Sequence, residues 1–186
     1  MNPEKKPLSY FQPIVGTIGS YKVLAGQCLG SEKKLFPYFQ PIVGAASGTI
    51  IGYEALARQL DTTGRVISAG ELFSSSDITA EQLIVWDRKV RRLALEQFGQ
   101  SNCSGYLTIN ISATWIDRIS DVESLPTLLM LDEFNIDRSR IIIEITESKG
   151  DLDKLVEIAA VYRRHGMKIA IDDFGAGFSQ LERVMA

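Results

Sequence analysis

The chain is 186 residues long, 45% hydrophobic and 9% aromatic, with 20 Lys and Arg against 23 Asp and Glu and a formal charge of −3. That apolar share excludes a disordered polymer, and the acidic balance excludes a protein that coats polynucleotide by bulk charge while leaving a small phosphate-bearing substrate open. No apolar run approaches the roughly 18 residues of a membrane span, and Pro7 and Pro13 interrupt the first stretch before a signal-peptide core develops, so we expect a cytoplasmic protein with no membrane partner.

The first feature in chain order is a repeat. Residues 4–16, EKKPLSYFQPIVG, match residues 32–44, EKKLFPYFQPIVG, at 10 of 13 positions. The likeness continues with a shifted register that sets Lys22 against Glu54 and Gly26 against Arg58. Two copies do not make a solenoid, so residues 1–31 read as a degenerate duplicate of the start of a domain that occupies residues 32–186. Phe39 to Val43 and Thr49 to Ala57 are extended runs joined by Gly44 to Gly48, which suits a hairpin. Thr79-Ala80-Glu81-Gln82 has capping-box form, and Leu83, Trp86, Val90, Leu93 and Leu95 follow near helical spacing up to Gly99. Tyr106 to Ile111 reads as a strand, Ser124 and Pro126 open a helix through Phe134, and Ile141 to Ile145 is an apolar strand. Leu152, Leu155, Val156, Ala159 and Tyr162 mark a helix that stops before Gly166, where His165 would set a cation against the helix dipole. Lys168 to Ile171 then runs into Asp172-Asp173. Strands bounded by helices, with both sheet faces read as apolar, predict a parallel α/β architecture. The cysteines, Cys28 and Cys103, lack a CxxC or histidine spacing and read as reduced, structural thiols.

In such a sheet the working groups collect at the carboxyl ends of the strands. Glu54, Asn110, Glu144 and the Asp172-Asp173 pair fall at or near such ends in four separate segments. Buried carboxylates need a partner, a proton or a cation. An all-oxygen set without His or Cys selects a hard ion such as Mg²⁺, Mn²⁺ or Ca²⁺. Adjacent aspartates suit two ions about 3.5–4 Å apart, the arrangement that clamps the attacking and leaving oxygens of a phosphodiester. Asn110 alone would serve equally well as a cap for the turn into Ser112.

Gln40-Pro41-Ile42-Val43, Tyr53-Glu54-Ala55-Leu56-Ala57-Arg58, Thr108-Ile109-Asn110-Ile111-Ser112, Ile143-Glu144-Ile145-Thr146-Glu147-Ser148 and Ile171-Asp172-Asp173-Phe174-Gly175 together resemble, in order and spacing, the EAL-domain cyclic di-GMP phosphodiesterase family. The resemblance implies a TIM-barrel variant with an antiparallel first strand and two-metal hydrolysis of cyclic di-GMP to the linear dinucleotide, with Mg²⁺ or Mn²⁺ as cofactor. It implies that Glu54, Asn110, Glu144 and Asp172 bind the first metal, that Asp172 and Asp173 reach the second, that Gln40 and Arg58 hold substrate, and that Glu147 steadies the loop after the DDFG strand. The family usually carries Thr and Tyr where this chain has Ala176 and Phe178. Its later lysine, further acidic group and general-base glutamate have no counterpart here, so the base is expected beyond Ala186 and no catalytic residue falls within the chain. The expectation is therefore a partial TIM barrel, completed or capped by dimerisation as a homodimer or strand-exchanged oligomer, weakly active or inactive alone. The alternative is a degenerate module that binds cyclic di-GMP or a protein partner without turnover.

Overall fold

Alternation between buried and less buried residues along Leu35–Val43 is the period-two pattern of a strand with one face in a core, and this strand, β1, begins the described fold. The structure is a computed structural model that describes residues 35–73, 75–111, 119, 121–146 and 152–172, with Thr146, Leu152, Ile171 and Asp172 described by backbone alone. The duplicate, residues 1–31, together with Cys28, Glu147 and Asp173, lies outside the described residues.

Strand β1 pairs antiparallel with β2, Ile50–Leu60, from Leu35 opposite Gln59 to Val43 opposite Ile50, with a register slip after Ile42. The turn between them is closed by Gly44 N–H donating to the Thr49 carbonyl at 2.9 Å and Gly48 N–H donating to the Gly44 carbonyl at 2.8 Å. Both strands exceed the runs expected from sequence, and β2 also pairs with β3, Val66–Ser68, which sequence reading does not assign. A short helix, α1, Gly70–Phe73, follows. Helix α2, Ala80–Gln100, starts on the expected capping box: Gln82 N–H donates to Thr79 Oγ1 at 3.2 Å and Thr79 N–H donates to Gln82 Oε1 at 3.1 Å, a cap worth about 1 kcal/mol.

Only Gly52–Ala55 of β2 pairs with β4, Tyr106–Ile111, and does so in parallel. Strand β4 pairs parallel with β5, Ile141–Thr146, and β5 with β6, Lys168–Asp172. Helix α3, Pro126–Glu133, and helix α4, Leu152–Arg164, form the later crossovers. The sheet order is β1-β2-β4-β5-β6 with β3 beside β2, which is the α/β sheet with an antiparallel first strand that the sequence predicts; the described strands form an open sheet. At the foot of β4, Gly105 holds φ +98°, and a Cβ there would lie 2.3 Å from the Ile51 carbonyl oxygen. Only glycine meets both demands.

The core lies on one face of this sheet. Leu107, Ile109 and Ile111 from β4 and Ile141, Ile143 and Ile145 from β5 are at most 3% exposed and pack with Leu95, Phe98, Leu128, Leu131, Ile158 and Tyr162 from the helices. Their neighbours, Thr108, Asn110, Ile142 and Glu144, alternate onto the other face. The expectation that both faces are apolar is thus corrected: the second face carries the polar groups. A smaller correction concerns the start of α3. Leu125, not Ser124, caps α3, with Pro126 in its first turn and residues 122–124 in a preceding 3₁₀ turn. At the end of α4, Arg138 Nη1 donates to His165 Nδ1 at 2.8 Å, beside Arg163 and Arg164 in the last turn of that helix.

Candidate functional site

Strand alternation and register decide what meets what. Gln40 stands opposite Glu54 across the β1–β2 pair, and directly opposed residues share a face. Glu54 is in register with Thr108, so Asn110, two residues on, lies one step further up the same face. Asn110 is in register with Glu144. Glu144 is in register with Ala170, and Asp172 lies two positions beyond that pair, beside Thr146. Four of the five expected metal-ligating positions, Glu54, Asn110, Glu144 and Asp172, therefore form one diagonal row across four strands. Glu54 is mid-strand rather than at a strand end, because β2 continues to Leu60 on its antiparallel partners, yet it falls within the last two residues of the parallel-paired stretch.

The described side chains of the row are half-buried, and two of them touch: Asn110 Nδ2 donates to Glu54 Oε1 at 3.0 Å. This contact uses the nitrogen of Asn110 and leaves its carbonyl oxygen, with two lone pairs, as an acceptor group. Two carboxylates and an amide on adjacent strands supply only oxygen ligands, which fits a hard divalent cation. Among the described residues no group of three Asp, Glu, His or Cys is gathered; Asp172, whose position completes the row, is described by backbone alone. Asp173 and Glu147 lie outside the described residues.

Arg58 is on the same face as Glu54, four residues and about 13 Å further along β2. It stands opposite Phe36 on one side and Ser68 on the other, and its Nη1 donates to the Ala57 carbonyl at 3.0 Å. The β2–β3 hairpin that carries it is closed by Asp61, which accepts from Thr63 N–H at 2.8 Å, Thr63 Oγ1 at 2.7 Å and Arg65 N–H at 2.9 Å. These bonds, led by the Thr63 hydroxyl, lower the Asp61 pKa to about 2.

Behind the row lies a charged cluster that sequence reading misses. Arg91 is 4% exposed in the core, ion-paired with Asp87 one turn earlier, and donates through Nη1 to Thr127 Oγ1 at 2.9 Å. Tyr162 Oη donates to the same hydroxyl at 3.1 Å, which ties α2, α3 and α4 together. Burial lowers the Arg91 pKa and raises that of Tyr162. A small cavity lined by Ala55, Asp87, Arg91, Ala94, Ile109 and Asn110 connects this cluster to the amide that meets Glu54. Phe36 and Tyr38 are also absent from the sequence-derived site, although alternation along β1 from Gln40 would have placed them on its face.

No helix among the described residues is long and apolar enough to cross a membrane. The EAL domain family model matches residues 24–186. The chain is 30% identical over 137 residues to the uncharacterized EAL-domain containing protein YkuI of Bacillus subtilis, covering 73% of this chain and 33% of that protein. It is also 30% identical over 144 residues to the probable cyclic di-GMP phosphodiesterase PdeB of Escherichia coli, covering 73% of this chain and 27% of that protein. The chain thus spans about a third or less of these relatives' length. The crystal structure of YkuI in complex with substrate c-di-GMP and calcium superposes with a TM-score of 0.70 at 30% identity, over 81% of this chain and 38% of that one. A manganese and cyclic di-GMP complex of Klebsiella pneumoniae BlrP1 superposes with a TM-score of 0.66 at 28% identity, over 86% of this chain and 39% of that one. A parallel α/β sheet with this first strand and this polar row, matched by sequence across residues 24–186, places the chain in the EAL domain family.

Proposed function

We propose that the row Glu54, Asn110, Glu144 and Asp172 holds divalent metal ions, Mg²⁺ or Mn²⁺, and that the chain binds cyclic di-GMP on them. The observation that carries this reading is the Asn110–Glu54 contact at 3.0 Å in a row whose next in-register member is Glu144. Asp172 and Asp173 share a second ion in this reading, Gln40 and Arg58 hold the substrate, Arg58 as a phosphate clamp, and Glu147 steadies the loop after β6. A planar guanidinium suits a phosphodiester because it offers two parallel N–H donors. Bound metal would polarise the phosphodiester and lower the pKa of a water. The chain's own part is to hold the substrate at Gln40, to clamp its phosphate with Arg58 and to orient Glu54 through Asn110.

Hydrolysis of cyclic di-GMP to the linear dinucleotide is the reaction this site supports. Turnover by residues 1–186 alone is expected to be weak or absent, since every group assigned among the described residues binds metal or substrate and none is assigned to take a proton from water. General-base catalysis contributes typically about 10²–10⁴-fold. Calorimetric titration with Mn²⁺ and then cyclic di-GMP, followed by chromatography for the linear product, tests both parts. Metal-dependent nucleotide binding with slow or no product supports the reading, and absence of metal-dependent binding refutes it.

A further inference from the structure

Strand β1 carries two aromatic side chains on the face of the acidic row, and the reading above assigns them no role. The antiparallel register sets Gln40 opposite Glu54, Tyr38 opposite Leu56 and Phe36 opposite Arg58. Opposed residues share a sheet face, so Tyr38 and Phe36 climb from the metal row toward the guanidinium. Their ring centroids are 5.7 Å apart and their planes tilted by 48°, within the range of aromatic pairs that interact. The other face of the same strand is already committed, with Leu35 and Phe39 only 5% and 6% exposed in the core. Phe36 and Tyr38 are half-buried, and among the described residues neither belongs to a core cluster or packs against one. Two rings kept out of the core beside an arginine make an amphipathic surface with a cation at its edge. That chemistry fits a nucleotide, whose base offers a flat π-face and whose phosphate offers the charge.

We propose that Phe36 and Tyr38 form a stacking platform for one base of the cyclic dinucleotide, while Arg58, the cross-strand neighbour of Phe36, holds that nucleotide's phosphate. The inference rests on the reading of this face as a cyclic dinucleotide site. Stacking tolerates any base, because every base has a π-face. The platform therefore adds affinity, and Arg58 and the metal row supply the phosphate recognition.

The test is binding of cyclic di-GMP to the full chain in the presence of Mn²⁺. Phe36→Leu and Tyr38→Leu keep apolar bulk and remove the stack; each is expected to weaken binding about five- to 150-fold, the range of one base–aromatic stack. Phe36→Trp and Tyr38→Phe are expected to bind as the unaltered chain does. Cyclic di-AMP, if bound, loses the same factor in the leucine variants. In the unaltered chain, the guanine H8 resonance shifts upfield on binding through the ring currents; absence of that shift overturns the platform even if a variant fails to fold. Leucine variants that bind as tightly as the unaltered chain, while Arg58→Ala weakens binding, overturn the platform and leave the proposed function standing. An unaltered chain that binds no cyclic di-GMP overturns both.

Discussion

Asn110 on β4 donates through Nδ2 to Glu54 Oε1 on β2 at 3.0 Å, one step up the sheet from the in-register partner of Glu54, Thr108. The contact is diagonal across two parallel strands. It makes the carboxylate's orientation depend on the amide. Asn110→Ala removes both this orienting bond and the Asn110 oxygen from the row, and is therefore expected to weaken Mn²⁺ binding by at least about 10- to 100-fold, the usual effect of losing an orienting group alone. Glu54→Gln is expected to weaken it further, since it removes a charge from the row. Titration calorimetry on both variants checks this, and an Asn110→Ala chain with unchanged Mn²⁺ affinity would exclude the orienting role.

The cluster behind that amide governs stability. Arg91 is buried with Asp87 beside it and Thr127 accepting from it at 2.9 Å. Removing one partner of a buried pair leaves the other uncompensated and costs about 3–5 kcal/mol, so Arg91→Ala is expected to lower the urea midpoint by the equivalent of that amount. Replacing the pair together, with Arg91→Met and Asp87→Leu, is expected to recover most of the loss, because well-packed apolar groups often equal a buried ion pair. Thr127→Val is expected to cost about 1–3 kcal/mol, since it strands the Arg91 and Tyr162 donors. A double variant as unstable as Arg91→Ala would contradict the account.

These two sites differ in how far the sequence announces them. Glu54, Asn110 and Glu144 are polar residues inside apolar strand runs, and such residues advertise themselves because burial demands a reason. Arg91 follows Val90 on a helix, where a charge reads as solvent-facing; its hydroxyl partner lies 36 residues away on α3, and no local pattern reports that. Strand β3 was illegible for the opposite reason. Val66, Ile67 and Ser68 are all exposed, so no buried face imposes a period, and the strand exists only because β2 offers Arg58, Gln59 and Leu60 to pair with. Phe36 and Tyr38 were legible in principle, since alternation from Gln40 places them, but only the register with β2 shows that Arg58 is the neighbour of Phe36.

The hairpin that supports Arg58 has its own pH signature. The pKa of Asp61 is lowered to about 2, first by the Thr63 hydroxyl and then by the Arg65 amide. A carboxylate with a folded value below its unfolded value of about 4 stabilises the hairpin above about pH 4, and the contribution is lost as pH falls toward 2. A carbon-detected NMR titration is expected to give an Asp61 midpoint near 2. Asp61→Asn is expected to remove the pH dependence of β2–β3 amide protection in that window, and an Asp61 midpoint near 4 would show that the turn bonds do not hold the carboxylate.

Gly105 is the backbone position least open to change. Its φ of +98° disfavours any side chain, and a Cβ would meet the Ile51 carbonyl oxygen at 2.3 Å, where β4 begins beside β2. Gly105→Ala is expected to destabilise the fold by at least about 2 kcal/mol and to weaken Mn²⁺ binding, because the β2–β4 register brings Asn110 to Glu54. Gly64 also has a positive φ of +84° but no atom within 4 Å of its added Cβ. Gly64→Ala is therefore expected to cost less and leave Mn²⁺ affinity unchanged. Equal effects of the two substitutions would show that strain alone, and not the close approach of the strands, matters at Gly105.

The repeat offers a test of which residues build β1. In the second copy Leu35 is 5% exposed against Ala69, Leu72 and Val90. The corresponding residue of the first copy is Pro7, while Tyr10 to Gly16 repeat Tyr38 to Gly44 without change. A proline in that slot forfeits a buried leucine side chain, and truncating such a leucine costs about 2–5 kcal/mol. Leu35→Pro in the full chain is expected to lower stability by that order. Deleting residues 1–31 is expected to leave the thermal midpoint and Mn²⁺ affinity unchanged, because β1 and its core contacts come from the second copy. If the deletion lowers the midpoint while Leu35→Pro does not, the assignment of β1 to the second copy fails, and with it the register that places Gln40 opposite Glu54.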